Sequence, residues 1–245
     1  MAKFVPDIGQ YSSSDPVIAE HHIDVFEYAN VDLSIASWWG PETNLDRARL
    51  TMLLDKTIEM KSSVKWSVYH ETERKERPSP GAIRSDLDYL MKWFAWHPAW
   101  AHQNGKPMIW VYNEAGCDVA NRWMEASAGR WYVVLKLFPG YKDCARQPDH
   151  WHQYGVENGA LEYPGVSFTI APGFWRADQS APLLQRVGAS TWCNNVRRMT
   201  ESRQPYQLVV TFNEAGEGTL IESSSPWRTS SGYGYYLDCL HQYVT

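Results

Sequence analysis

The sequence predicts an α/β protein, a (β/α)8 TIM barrel, from three observations. Short apolar runs alternate with stretches of helical apolar spacing along the whole chain. The runs are near-continuously apolar, the pattern of strands covered by helices on both faces. The chain has 245 residues without a break in composition, close to the roughly 250 that one such barrel takes. Residues 1–245 are therefore expected to form one domain. A doubly wound open sheet is the alternative, but the G-x-G-x-x-G turn that usually opens it is missing.

The elements follow in order. His21 and His22 sit on an early helix and read as surface or structural residues. Leu33 to Trp39 is an apolar strand stopped by Gly40-Pro41. Leu50, Leu53, Leu54 and Ile58 recur on one face of the helix that follows. Val64 to Tyr69 is the next strand, and Glu71 to Arg77 a charged loop. Ser85 is placed to cap a helix with Leu87, Leu90, Met91 and Phe94 on its apolar face. Pro107 to Tyr112 and Trp131 to Phe138 are strands, with a helix over Val119 to Ala126 between them. Asp149 to Gly155 is ambiguous and is read as a short strand ending in His152-Gln153-Tyr154-Gly155. Val166 to Ile170 is a strand, Pro182 to Ser202 a helix, Gln207 to Phe212 the last strand and Tyr233 to Tyr243 the last helix.

Composition narrows the function. Lys plus Arg is 23 against 28 Asp plus Glu, a formal charge of −5, and no basic block is present. That argues against a general nucleic-acid binder. No apolar run approaches the ~20 residues of a membrane helix, and the start of the chain carries no secretory or transit pattern. The sequence assigns neither a compartment nor an oligomeric state. Cys117, Cys144, Cys193 and Cys239 make no C-x-x-C pair and are expected to be buried free thiols. The chain is rich in aromatics, with 13 Trp and 14 Tyr. Such rings offer a flat apolar face and a polar handle, which suits sugar rings as well as it suits a core.

In a barrel the active site lies at the carboxyl ends of the strands. Those ends carry Trp38-Trp39, His70-Glu71, Tyr112-Asn113-Glu114 and Phe212-Asn213-Glu214. The densest acidic cluster is Glu214, Glu217 and Glu222, beside Asn213. In a continued strand Glu214 and Glu217 would point to opposite faces. Gly216 and Gly218 let the chain leave strand geometry, so both carboxylates can turn to one side. Two adjacent carboxyls cannot both ionise freely, which splits them into an acid and a base or nucleophile. That is the equipment of glycoside hydrolysis. No G-x-S-x-G elbow or phosphate cradle is present. The H-x-H of His150 and His152 lacks a third ligand at recognisable spacing, so no metal is expected.

Asn213-Glu214-Ala215-Gly216-Glu217-Gly218-Thr219-Leu220-Ile221-Glu222 resembles the N-E-W-x-E-G-T-x-[IV]-E signature of glycoside hydrolase family 99 and its bacterial family 99-like, endo-α-mannosidase-related members. Ser37-Trp38-Trp39-Gly40-Pro41, Trp151-His152-Gln153-Tyr154 and Ala171-Pro172-Gly173-Phe174-Trp175 are similar to further segments of those relatives. The resemblance runs from about Tyr11 to the end of the chain. It implies a (β/α)8 barrel that hydrolyses α-mannosides or related glycans with retention, without metal or organic cofactor. An oligosaccharide or polysaccharide is the implied partner. Glu214 is then the base on the sugar 2-hydroxyl, giving a 1,2-anhydro intermediate, and Glu217 the general acid/base.

The chain departs from the signature at Ala215, where the family has Trp. It also reaches Gly9-Gln10-Tyr11 without the aromatic-rich first strand of relatives. The barrel is therefore expected to lack that strand, to replace it with Phe4-Val5, or to have lost it by truncation. Two alternatives follow: a non-catalytic carbohydrate-binding barrel, or a retaining glycosidase with Glu114 as acid/base and Glu214 as nucleophile. The remaining candidate substrate-binding residues are Trp38, Trp39, Glu71, Tyr112, Glu114, His152, Tyr154, Trp175, Asn213 and Glu222.

Overall fold

The computed structural model describes the backbone of residues 2–41 and 44–244, with the side chains of residues 2–41 and 46–244. The chain divides into two compact units. One comprises Ser13–Glu27 and Val31–His152, the other Met1–Ser12, Tyr28–Asn30 and Gln153–Thr245.

The first unit is built on a mostly parallel sheet. Helix α1 (Pro16–Tyr28) starts on proline, and the Asp15 carboxylate accepts the Val17 amide at 2.9 Å. It buries Ala19, His22, Ile23, Val25 and Phe26. Strand β1 (Leu33–Trp38) pairs in parallel with β2 (Lys65–His70), from Leu33 opposite Lys65 to Trp38 opposite His70. Between them, α2 (Asn44–Glu59) is tied to β2 by Thr57, whose hydroxyl accepts the Trp66 indole N–H at 2.7 Å. Beyond β2 the chain forms a short helix, α3 (Thr72–Glu76), where a charged loop was expected. The cause is Glu73: its carboxylate is buried and takes the Trp123 indole N–H and the Arg122 guanidinium. Burial pushes the Glu73 carboxyl up, against those two partners.

Helix α4 (Pro80–Trp93) begins nearly two turns earlier than expected. Ser79, not Ser85, is its cap and accepts the Ala82 amide at 3.2 Å, while the Ser85 hydroxyl bonds back to the Gly81 carbonyl inside the helix. The hairpin β3 (His102–Gln103) and β4 (Lys106–Val111) follows, then α5 (Cys117–Ser127), β5 (Tyr132–Lys136) and β6 (His150–His152). Strands β4, β5 and β6 continue the parallel order β1-β2-β4-β5-β6. They are buried along almost their whole length, the continuous apolar signature of the sequence. The register brings His70 opposite Val111 and Lys136 opposite His152, so the carboxyl ends form one row.

The second unit holds β7 (Ala160–Tyr163), β8 (Ser167–Ile170) and β9 (Tyr206–Val209); β7 is antiparallel and β9 parallel to β8. Helix α6 (Ala189–Ser202) links β8 to β9 and packs on α7 (Tyr235–Tyr243), with the Trp192 indole N–H on the Tyr236 carbonyl. The helix expected from Pro182 starts only at Ala189. The preceding segment is extended, with Leu184 bridged to Phe174. Phe4 and Val5 form no strand. The Phe4 ring packs edge-on against Trp227, and the Val5 carbonyl accepts the Ser224 hydroxyl. The cysteines are not free thiols: Cys117 is bonded to Cys144 and Cys193 to Cys239. Wide spacing in sequence concealed both pairs, because each joins a helix to a segment that only folding brings near. Among the described residues no helix is long and apolar enough to cross a membrane.

Candidate active site

The signature segment of the second unit is a closed loop, not a strand. Its neck is sealed where the Thr211 amide donates to the Thr219 carbonyl, the Ile221 amide to the Thr211 carbonyl, and the two threonine hydroxyls lie 2.7 Å apart. Its tip is a tight turn: the Glu217 amide donates to the Glu214 carbonyl at 3.2 Å and the Gly218 amide to the Ala215 carbonyl at 3.2 Å. Glu214 and Glu217 are thus the first and last residues of one turn, which holds their Cα atoms within roughly 7 Å. Glu214 is exposed and Glu217 half-buried.

Three contacts fix this turn from below. The Trp175 amide donates to the Glu217 carbonyl and the Ala177 amide to the Gly216 carbonyl. Arg186 donates from one nitrogen to the carbonyls of Gly218 and Leu220, at 2.8 and 2.9 Å. Its guanidinium lies over the rings of Phe4, Trp227 and Tyr236, at 4.2 to 5.1 Å from their centroids. Burial lowers the Arg186 pKa from its ordinary value. Gly218 has φ +64 and approaches the Trp175 carbonyl so closely that an added Cβ would sit 2.6 Å from its oxygen. No other residue type fits there without movement.

Glu222 is buried at the foot of the loop. It accepts the Tyr11 hydroxyl at 2.9 Å, and the same hydroxyl accepts the Asn213 amide at 3.1 Å. Burial, then the Glu222 charge, raises the Tyr11 phenol. Asn213 is thereby tethered next to Glu214. The Trp175 ring is half-buried; Lys3 lies over it at 5.0 Å, and its indole N–H donates to the Gln179 carbonyl. Tyr154 packs against Val156, Ala171 and Val210.

The other candidates line the strand ends of the first unit. Trp38 is buried among His70 and Tyr89, whereas the neighbouring Trp39 is 55% exposed. Glu71 accepts the Ser37 hydroxyl at 3.0 Å. Glu114 is exposed and paired with Arg77 at 2.5 Å. Asn113 is fully buried: its amide donates to the Glu114 and Lys136 carbonyls and accepts the Lys136 amide. His152 shares a 2.8 Å hydrogen bond with the Tyr69 hydroxyl and lies edge-on to Trp110. Burial pushes its pKa down to about 3, with Lys136 and His150 acting the same way, so the ring is neutral at ordinary pH. Among the described residues no three His, Cys, Asp or Glu side chains are grouped as metal ligands.

Sequence reasoning passed over Tyr11 and Arg186. Arg186 fell inside an expected helix, and Tyr11 lies far from the loop it serves in the sequence. Only the aromatic surplus hinted that a buried cation needed rings around it.

Helices alternating with mostly parallel strands make the molecule an α/β protein, and the solved structures it resembles place it in the (β/α)-barrel class. The chain belongs to glycosyl hydrolase family 99, whose family model matches residues 1–130. The matched stretch contains Trp38, Trp39, Glu71, Tyr112 and Glu114; the Glu214–Glu217 turn lies beyond it. Glycoprotein endo-alpha-1,2-mannosidase of Mus musculus is 24% identical over 122 residues, covering 46% of this chain and 26% of the relative. The Xenopus laevis protein of the same name is 25% identical over the same coverage. The chain therefore spans about a quarter of the length of the curated relatives it matches. The fold is shared with the GH99 endo-alpha-mannosidase of Bacteroides thetaiotaomicron in complex with bis-tris-propane. That likeness has a TM-score of 0.79 at 22% identity, over 99% of this chain and 87% of that one. A structure titled glycoside hydrolase-like protein matches with TM-score 0.68 at 15% identity, over 98% of this chain and 88% of that one.

Proposed function

We propose that residues 1–245 act as a single catalytic domain, a retaining glycosidase for α-linked, mannoside-like oligo- or polysaccharides. Glu214 takes the proton of the sugar 2-hydroxyl as that oxygen attacks the anomeric carbon. Glu217 gives its proton to the departing glycosidic oxygen. The resulting 1,2-anhydro sugar is opened at the anomeric carbon by water, which Glu217 deprotonates, while Glu214 returns its proton to the 2-oxygen. Two inversions give net retention, and both carboxyls end as they began.

The observation that carries this reading is the hydrogen-bonded turn Glu214–Glu217. Glu214 and Glu217, one open and one half-buried, are the first and last residues of that turn, which supports a paired acid–base role. Preorganised acid–base groups of this kind contribute about 10²- to 10⁴-fold each. Tyr11 and Glu222 hold Asn213 beside the base.

Glu217→Gln and Glu214→Gln should each lower turnover of an unactivated α-mannooligosaccharide by at least about 10²-fold with an unchanged circular dichroism spectrum. Glu114→Gln, at an exposed carboxylate held by Arg77, should leave turnover within a few-fold. Undiminished turnover in Glu217→Gln removes that residue from the mechanism, and a collapse in Glu114→Gln alone transfers the acid/base role to Glu114.

A further inference from the structure

Arg186 lies in the extended segment between Leu184 and α6, and the main chain there is held on both sides. The Val187 amide donates to the Pro172 carbonyl at 2.8 Å, and the Val187 carbonyl takes the hydroxyls of Tyr236 and Tyr235 at 2.7 and 3.2 Å. Gly173 packs directly against the arginine: a Cβ added there would lie 2.7 Å from the Arg186 Cα and 3.0 Å from its nitrogen. Segment 172–177 is thus fitted to the Arg186 backbone with no room to spare. The same segment supplies the Trp175 and Ala177 amides that hold the Glu217 and Gly216 carbonyls. From the other direction the Arg186 side chain reaches the far flank of the turn, at the Gly218 and Leu220 carbonyls. The contacts close a ring: Gly218 on Trp175, Gly173 on Arg186, and the Arg186 side chain back on Gly218.

The turn needs such a brace. Glu217 stands between Gly216 and Gly218, and glycine is the residue with the most backbone freedom to lose. An acid between two glycines, left to itself, samples many positions, and a reacting group displaced by an ångström loses much of its effect. The brace is costly to build: the Nε and Nη1 atoms of Arg186 are buried without a hydrogen-bond partner. Costs of this kind are uncommon in folded proteins and call for a reason. Arginine is the side chain that can lie flat among aromatic rings and still donate to main-chain carbonyls. We propose that Arg186 is a positioning residue for the reaction. By anchoring the Gly218 and Leu220 carbonyls it fixes where the Glu217 carboxyl stands, and it acts on the chemical step rather than on glycan binding. This rests on the glycosidase reading for the reaction, but not for the anchoring.

The test makes Arg186→Met and Arg186→Lys in the full chain and reads each in two ways. Amide exchange needs no activity. The Glu217 and Gly218 amides, whose hydrogen bonds close the turn, should exchange at least about ten-fold faster in Arg186→Met. The amides of β8 should keep the parent's rates. On an α-mannooligosaccharide, Arg186→Met should lose about 10²-fold in kcat with KM within about three-fold of the parent. Arg186→Lys offers three donors to the same carbonyls but no plane to stack. It should recover about ten-fold of that loss, remain several-fold below the parent, and slow the turn amides again. A parent-like kcat in Arg186→Met, or a loss carried by KM alone, overturns the proposal. So does exchange that rises in β8 as much as in the turn, which would make Arg186 a prop for the whole unit. If Arg186→Met does not fold, Arg186→Lys decides: a several-fold lower kcat at unchanged KM with faster turn exchange supports the proposal, and parent-like values throughout overturn it. A parent chain without turnover fails the glycosidase reading and the catalytic part of this proposal with it; the anchoring then stands or falls on exchange alone.

Discussion

His152 shows how much one side chain's surroundings can change its chemistry. Its ring is buried against Trp110 and bonded to the Tyr69 hydroxyl, and its pKa sits near 3 instead of the ordinary 6.5. Below pH 6.5 the unfolded chain takes up a proton here that the folded chain refuses. The contribution is therefore fully present at neutral pH and is lost as pH falls from about 6.5 toward 3, at no more than about 1.4 kcal/mol per pH unit. His152→Gln keeps a partner for Tyr69 and removes the titration. Calorimetry at pH 7 and pH 4.5 should find a smaller drop in Tm for the variant than for the parent; equal drops would show that acid sensitivity arises elsewhere. The sequence marked His152 as a polar pocket residue but gave no sign of its neutral state, since nothing local to His150-Trp151-His152 records what packs on it.

At the scale of elements, the loop Thr211–Ile221 behaves as an insert bolted to its neighbour rather than as a flexible connection. The Gly-punctuated spacing in the sequence correctly pointed to a departure from strand geometry. It did not point to the segment 174–177 as the partner, because that pairing joins stretches some forty residues apart. Gly218 is where the two backbones meet. Gly218→Ala would force a Cβ to 2.6 Å from the Trp175 carbonyl at φ +64. The left-handed conformation alone costs about 1–2 kcal/mol, and the collision adds to it. Urea unfolding should show a loss of at least roughly 2 kcal/mol. A loss below half of that would mean the two segments separate easily. Strand identity was legible for the opposite reason: β2, β4 and β5 are covered on both faces, so their apolar runs are unbroken whatever lies around them. The α3 segment was not legible because its single buried acid, Glu73, is recognisable only beside Trp123 and Arg122.

For the whole molecule, the cysteines are the largest revision. Cys117–Cys144 closes a separation of 27 residues and Cys193–Cys239 one of 46. In the chain-entropy description such closures stabilise by about 3.5 and 4 kcal/mol. Thiol titration of the denatured, unreduced protein should find no reactive sulfhydryl. Reductant should lower Tm by about 15–30 degrees for a chain of this size; titration of four thiols without reductant would restore the free-thiol expectation. Fold class was readable from alternation and length, and membership from the carboxylate signature, because both are written in contiguous residues. Pairings across the chain, covalent or through Arg186 and Tyr11, were not, because they exist only once distant segments meet.

The chain contains the dipeptide Asn-Glu after two strands, and the buried amide of Asn113 separates the copies. Asn113 spends its hydrogen bonds splicing one strand end to the next, so it is masonry. Asn213 is exposed and answers to a phenol. Anyone surveying barrel genomes for acid–base pairs by dipeptide alone would collect both kinds indiscriminately. Asking whether the asparagine is consumed by its neighbouring strand's main chain would tell the two kinds apart before a single assay is run.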